Sequence, residues 1–198
     1  MFINKKEEFS NDLLTKGRFS SLSKLEDRIS CLEKLSFKLK NLSLETKNKE
    51  LFAFFYFLEE SITLVRSDSE NFIYPSLPRG IVLNIPSSNI PMMPFYTWVP
   101  SFLCGNINFV RLSRKSDIQL VSKVIFHLDA VLGDLESEKQ VFYRGDLDDE
   151  ITSELSLNCD VRMIWGDNNT IKKIKYDYPT SAVLELSYKN RFSASLID

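Results

Sequence analysis

Leucine and isoleucine recur every three or four residues through the first third of the chain. Leu22, Leu25, Ile29, Leu32, Leu35, Leu39 and Leu42 fall on one side of a 3.6-residue spiral, with Lys, Glu, Asp and Arg between them. That spacing predicts an amphipathic helix with a single apolar face. A second helical run is predicted after Thr46, read as its N-cap, and carries Leu51, Phe54, Phe55, Leu58, Ile62 and Val65. The polar stretch SDSEN (67–71) closes it. Residues 1–72 are therefore read as a helical segment whose leucine stripe serves core or intersubunit packing.

From Phe72 the pattern changes. YPSLPRG (74–80) is rich in turn formers. GIVLNIP (80–86), NFVRLS (108–113), KQVFYRG (139–145), VRMIWG (161–166), SAVLELSYK (181–189) and FSASLID (192–198) are short and largely apolar, and read as strands. Helical stretches lie between them: 90–106, with Pro94 and Pro100 inside it, then 117–135, ending near Gly133, then 147–160, and 167–178, with Asp167 near its start. Strands alternating with helices of this length predict βαβ crossovers. The fold class expected for residues 73–198 is thus α/β, a Rossmann-like, mostly parallel sheet. Strands that are apolar throughout fit a sheet covered by helices on both faces.

Ligands of such sheets bind beyond the carboxyl ends of the strands. This rim would gather Ser87, Ser88 and Asn89 after the first strand, and Arg111, Ser113, Arg114 and Lys115 at the end of the second. Trp165, Gly166 and Asp167 follow the fourth, and Glu185 sits on the fifth. The basic residues suit a phosphate, while Ser and Asn can hydrogen-bond a ribose or an amide.

Composition narrows the chemistry. The 198 residues allow one or two domains, and 43% hydrophobic residues with 15 Phe are enough for a real core. Only six residues are glycine, about 3% against a usual ~7%. Neither GxGxxG nor GxxxxGK[ST] occurs, so the standard dinucleotide fingerprint and the P-loop are both missing. A net charge of −2 gives no electrostatic drive toward nucleic acid. The first 50 residues hold 11 Lys and Arg against 8 Asp and Glu, and that surplus reads as a solvated helical face.

The start MFINKKEEFS does not read as a secretory leader. No membrane span is expected, because Glu59 and Glu60 end the greasiest run, LFAFFYFLEES. Cys31, Cys104 and Cys159 are far apart and lack a CxxC pattern, which suits reduced thiols in the cytoplasm. His127, the single histidine, sits among Ile125, Phe126 and Leu128 and reads as a helix residue rather than a base or a metal ligand.

The segment from Tyr74 to Asp117 resembles the LuxC-type acyl-CoA reductases, the fatty-acid reductase subunits of bacterial luminescence systems and their relatives. The resemblance continues through 148–174 and 181–198, and its ordered motifs are PSSN, VRLS and IWGDNNT. That family is similar to the aldehyde dehydrogenases, which bind NAD(P) on a Rossmann-like sheet without the glycine fingerprint. The resemblance implies NADPH-dependent reduction of a fatty acyl group, from an acyl-CoA or acyl-protein donor, to an aldehyde. Chemistry would pass through a cysteine thioester, with hydride from the nicotinamide.

Site roles are implied position by position. Asn89 in PSSN matches the asparagine that helps hold the oxyanion, and Ser87 precedes it at the cofactor site. Arg111 falls where the aldehyde dehydrogenase pattern has a ribose-contacting lysine, with Ser113 beside it. Arg114 stands where that pattern has a ribose-binding glutamate. A guanidinium there favours a 2′-phosphate, hence NADP over NAD. Gly166 matches the glycine that opens the helix facing the pyrophosphate, with Asp167 next, whereas Ile171 replaces a second glycine. Glu185 matches a water-activating glutamate, although Ser187 and Tyr188 replace the glycines that follow it. Two readings of Glu185 stand, a catalytic carboxylate or a strand carboxylate satisfied by a local partner.

The nucleophilic cysteine of the family lies beyond the LELS strand. Cys31, Cys104 and Cys159 are all read as structural. The expectation is a truncated or split form that keeps the nucleotide-binding part and transfers no acyl group by itself. A complementing C-terminal half or a homo-oligomer would be its partner. Two other readings stand beside it. One is a non-catalytic module that binds a nucleotide or a protein. The other is a helical interaction protein whose first 70 residues dimerise.

Overall fold

The computed structural model describes residues 2–3, 24–69, 77–115, 117–137, 139–179 and 183–189. The chain opens with β1 (Phe2–Ile3), α1 (Leu25–Thr46) and α2 (Lys49–Ser69). Strands and helices then alternate: β2 (Ile81–Ile85), α3 (Met93–Leu103), β3 (Ile107–Leu112), α4 (Ile118–Ser137), β4 (Gln140–Arg144), α5 (Glu150–Asn158), β5 (Val161–Trp165), α6 (Asn168–Asp177) and β6 (Leu184–Tyr188). All the described strands pair in parallel in one sheet, in the order β1-β4-β3-β2-β5-β6. The expected α/β class is therefore found. The strands predicted from 80 to 189 are β2 to β6. The strand predicted at 192–198 lies outside the described residues.

From β2 the chain moves outward to β3 and β4, then returns to the other flank of β2 to lay down β5 and β6. The strand order reverses between β2 and β5, so a crevice opens there at the carboxyl edge. The register at this point is held by Asp160. Its carboxylate accepts from the Ile81 N–H at 2.8 Å, and its carbonyl accepts from Leu184 N–H at 3.0 Å. Gly80 makes this approach possible, at φ 114°, because a Cβ there would lie 2.3 Å from the Asp160 carboxylate.

Two details correct the sequence reading. The segment read as helical opens with the two-residue strand β1, whose pairing with Phe142 and Tyr143 supplies an order that two residues cannot signal by period. The cap of the second helix is Asn48, not Thr46. The Asn48 Oδ1 accepts from the N–H groups of Glu50 and Leu51, both at 3.0 Å, while the Thr46 hydroxyl bonds back to Leu42 and finishes α1. Lys47, at φ 51°, makes the turn between the two helices.

Alternation along the strands splits the core in two. On one face Val110, Leu112 and Phe142 join Leu32, Leu35 and Leu39 of α1, Leu51 and Phe54 of α2, Trp98 of α3 and Val124 of α4. The N-terminal helices thus share one core with the sheet. Rings run through it in contact, Phe54 to Phe95 at 5.7 Å and Phe95 to Phe142 at 5.3 Å. On the other face Leu83, Phe109, Val141 and Ile164 meet Leu155 of α5 and Ile171 and Ile174 of α6.

A ladder of buried amides crosses the first face. Asn84 donates to Asn108 at 3.1 Å, Asn108 to Gln140 at 2.9 Å, and the Trp98 indole to the same Gln140 oxygen at 2.8 Å. Among the described residues no helix is long and apolar enough to cross a membrane.

Phe54 is fully buried while Phe126 on α4 is 71% exposed. Phe54→Ala should cost about 3–5 kcal/mol of unfolding free energy. Phe126→Ala should stay within about 0.5 kcal/mol of the parent. Urea titration of both variants checks this.

Candidate functional site

A cleft of about 770 Å³ opens at the carboxyl edge of the sheet, across the ends of β2 to β6. Five parallel strands bring the turns that follow them to this one edge. The turn after β2 supplies Ser87, Ser88 and Asn89. Arg111 at the end of β3 is 7% exposed and contributes to the lining. Its terminal nitrogen donates to the Gly145 carbonyl at 3.0 Å, and its buried Nε has no partner. Burial pulls the guanidinium below its ordinary pKa, and Tyr143, Asp146 and Asp149 pull it back. Arginine keeps its charge across any physiological pH. The result is a buried cation with donor capacity unspent.

Ser113 and Lys115 follow on the β3 side, and the Ser113 hydroxyl accepts from the Lys115 N–H at 3.3 Å. On the β5 side, Gly166 and Asp167 lead into α6. The Asp167 carboxylate accepts from the Thr170 N–H at 2.7 Å, and this bond holds its pKa below the ordinary carboxylate value. At Gly166 a Cβ would lie 3.1 Å from the Thr170 methyl, so a side chain would crowd the first turn of α6. Trp165 and Tyr188, opposite each other in the β5–β6 register, stack with ring centroids 4.0 Å apart and planes 13° from parallel. They line the same cleft.

Of the residues singled out from sequence, Ser87, Asn89, Arg111, Ser113, Gly166 and Asp167 line the cleft together. Arg114 stands outside that lining. Its Nε lies 3.0 Å from Asp146, its NH2 3.9 Å from Asp149, and its side chain is 63% exposed. Glu185 is also outside it. Its carboxylate is paired with Arg162 at 2.9 Å and Lys175 at 2.6 Å, on the sheet face that α6 covers.

Tyr188, Asp146 and Asp148 line the cleft but were not named as site residues from sequence. Tyr188 could have been found from its place at the carboxyl end of its strand, level with Trp165. The aspartates lie in a turn after β4, a strand for which no rim residue was named.

The thiols sit elsewhere. None of Cys31, Cys104 and Cys159 lines the cleft, and none of the three is in a disulfide. Burial pushes the Cys159 thiol up to about 11, so it is protonated at neutral pH. Cys104 is also raised, by burial of its sulfur against the opposing pull of Arg28. His127 is on α4, its pKa lowered by burial and by Lys38. Among the described residues no group of three or more His, Cys, Asp or Glu could hold a metal.

A Rossmann-like, parallel sheet with a polar cleft at its switch point defines the class as α/β. The chain belongs to the LuxC acyl-CoA reductase family, whose model matches residues 26–198. The solved structures it resembles include the betaine aldehyde dehydrogenase of Staphylococcus aureus in complex with NAD+, at 15% identity and a TM-score of 0.68, with 89% of this chain and 39% of that chain covered. An aldehyde dehydrogenase of Bartonella henselae matches at 14% identity and a TM-score of 0.69, with 89% and 41% covered. At these identities the likeness shows the fold. The chain thus spans about 40% of the length of the structures it matches. A comparison with curated proteins gave no match.

Arg162 is buried with a side-chain exposure of 3%, so loss of its carboxylate partner leaves a charge in the interior. Glu185→Ala should destabilise the fold by about 3 kcal/mol. Guanidinium denaturation of this variant checks the value.

Proposed function

We propose that this chain is the nucleotide-binding portion of an acyl-CoA reductase and that its cleft takes NADP(H). Buried Arg111 carries this reading. A guanidinium 7% exposed, with an unpaired Nε, at the edge of a cleft where strand order reverses, calls for an anionic or ribose-bearing ligand. The first turn of α6 adds the positive end of a helix dipole beside Gly166, a pole that suits a pyrophosphate, with Asp167 capping the Thr170 N–H. The residues present therefore fit a pyridine dinucleotide. Arg111, Ser113 and Gly166 would hold it, and Ser87 would bond the ribose or amide.

When bound, the nicotinamide supplies the hydride that reduces an acyl thioester to an aldehyde. Asn89, in the lining of the cleft, would donate an amide N–H to the developing oxyanion. The Trp165–Tyr188 stack adds an aromatic wall to the same cleft. Glu185 is assigned to holding Arg162 and Lys175 rather than to activating water. Acyl chemistry needs a thiolate facing this cleft, and the three thiols of this chain lie away from it. The acyl-carrying cysteine would come from another part of the family's fold or from a complementing chain. The substrate class is a fatty acyl-CoA or acyl-protein, and cysteines outside any disulfide suit a cytoplasmic setting.

Calorimetric titration tests the reading. The parent chain should bind NADP+ more tightly than NAD+. Arg111→Ala should weaken both by about tenfold or more. A parent that binds neither nucleotide, or an Arg111→Ala variant that binds both unchanged, would overturn it. Incubation with a fatty acyl-CoA should leave all three cysteines unacylated.

A further inference from the structure

β3 and β4 are neighbours in register, Leu112 opposite Arg144, so the turns that follow them lie side by side. The β3 turn carries Ser113, Arg114 and Lys115, and the β4 turn carries Asp146, Asp148 and Asp149. The two are tied. Arg114 Nε meets the Asp146 carboxylate at 3.0 Å, and the Arg144 guanidinium donates to the Arg114 carbonyl at 2.9 Å. The Asp146 N–H donates in turn to Asp149 at 2.8 Å, so the aspartate's backbone is held as well. Asp146 lines the cleft, and Arg114, paired with it, is not part of that lining.

A ligand in this part of the cleft meets the Asp146 carboxylate in its wall. A carboxylate accepts a hydrogen bond from a ribose 2′-hydroxyl and repels a 2′-phosphate, and a guanidinium does the reverse. Here the two groups are paired, so each cancels part of the other's preference.

We propose that Asp146 and Arg114 form a selectivity pair in which Asp146 holds Arg114 back and sets how strongly the cleft favours a 2′-phosphorylated adenine nucleotide. This rests on the nucleotide reading above and extends it. Asp146 is a positioning residue in this pair, acting on the 2′-substituent both directly and through Arg114. Both partners are substantially exposed, at 63% and 47%, so the effect is moderate and falls as salt is raised.

The test is a titration of the full chain with NADP+ and with NAD+, in the parent, Asp146→Asn, Arg114→Ala and the double variant. Asp146→Asn should tighten NADP+ about two- to fivefold and leave NAD+ unchanged or weaker. In the Arg114→Ala background the gain for NADP+ should fall by at least half. Raising the salt concentration should shrink the parent-to-variant difference. Equal changes for both nucleotides, no change, or a gain as large without Arg114 would overturn the pair while leaving the nucleotide site standing. A parent chain that binds neither nucleotide would remove the nucleotide site and the pair with it.

Discussion

Every described pair of strands in this protein is parallel, and that constraint organises everything else. Parallel neighbours cannot be joined by a tight turn, so each connection from β2 onward must climb back along a helix. The carboxyl ends of β2 to β6 then open on one edge, together with the turns that follow them. Because the chain builds outward from β2 and then returns beside it, the edge is parted between β2 and β5. The cleft lies at that parting. Its residues come from segments far apart in sequence, and only the crossover geometry brings them together.

The parting needs a firm register, and the structure supplies it by local chemistry. Asp160 binds the first residue of β2 and the first of β6, which locks three strands at their amino ends. Gly80 yields the space for that carboxylate. Across β2, β3 and β4 the amides of Asn84, Asn108 and Gln140 bond one another inside an apolar layer, and the Trp98 indole closes the row. Such groups tolerate burial only when partnered, so a slip of one residue would strand them. The large aromatic core on the same face provides the hydrophobic drive, and the amides specify the alignment.

Much of this is legible in the sequence because burial on both faces leaves a plain mark. GIVLNI, NFVRL and VRMIW are nearly continuous apolar runs, and the helices between them show the longer period. The rim followed from those strands, and it brought Ser87, Asn89, Arg111, Ser113, Gly166 and Asp167 into one cleft. What stayed hidden depends on neighbours across space. β1 is ordered by pairing with β4. Asn48 takes the cap because Thr46 bonds back into α1. Arg114 reads in sequence as a free guanidinium, but the turn after β4 places Asp146 against it. Glu185 is the second residue of β6, level with Arg162 near the amino end of β5, so it lies below the rim and pairs with Arg162 under α6. Ion pairs between distant segments have no period to announce them.

If the cleft takes a pyridine nucleotide, its lining segments should close around that ligand and no others. Hydrogen exchange of the full chain, followed by mass spectrometry with and without NADP+, reads this directly. Exchange should slow in the segments that line the cleft, 86–93, 111–115, 146–148 and 165–170, and stay unchanged in α1 and α2. Protection confined to the helical hairpin, or none anywhere at saturating nucleotide, would contradict a nucleotide site at this edge.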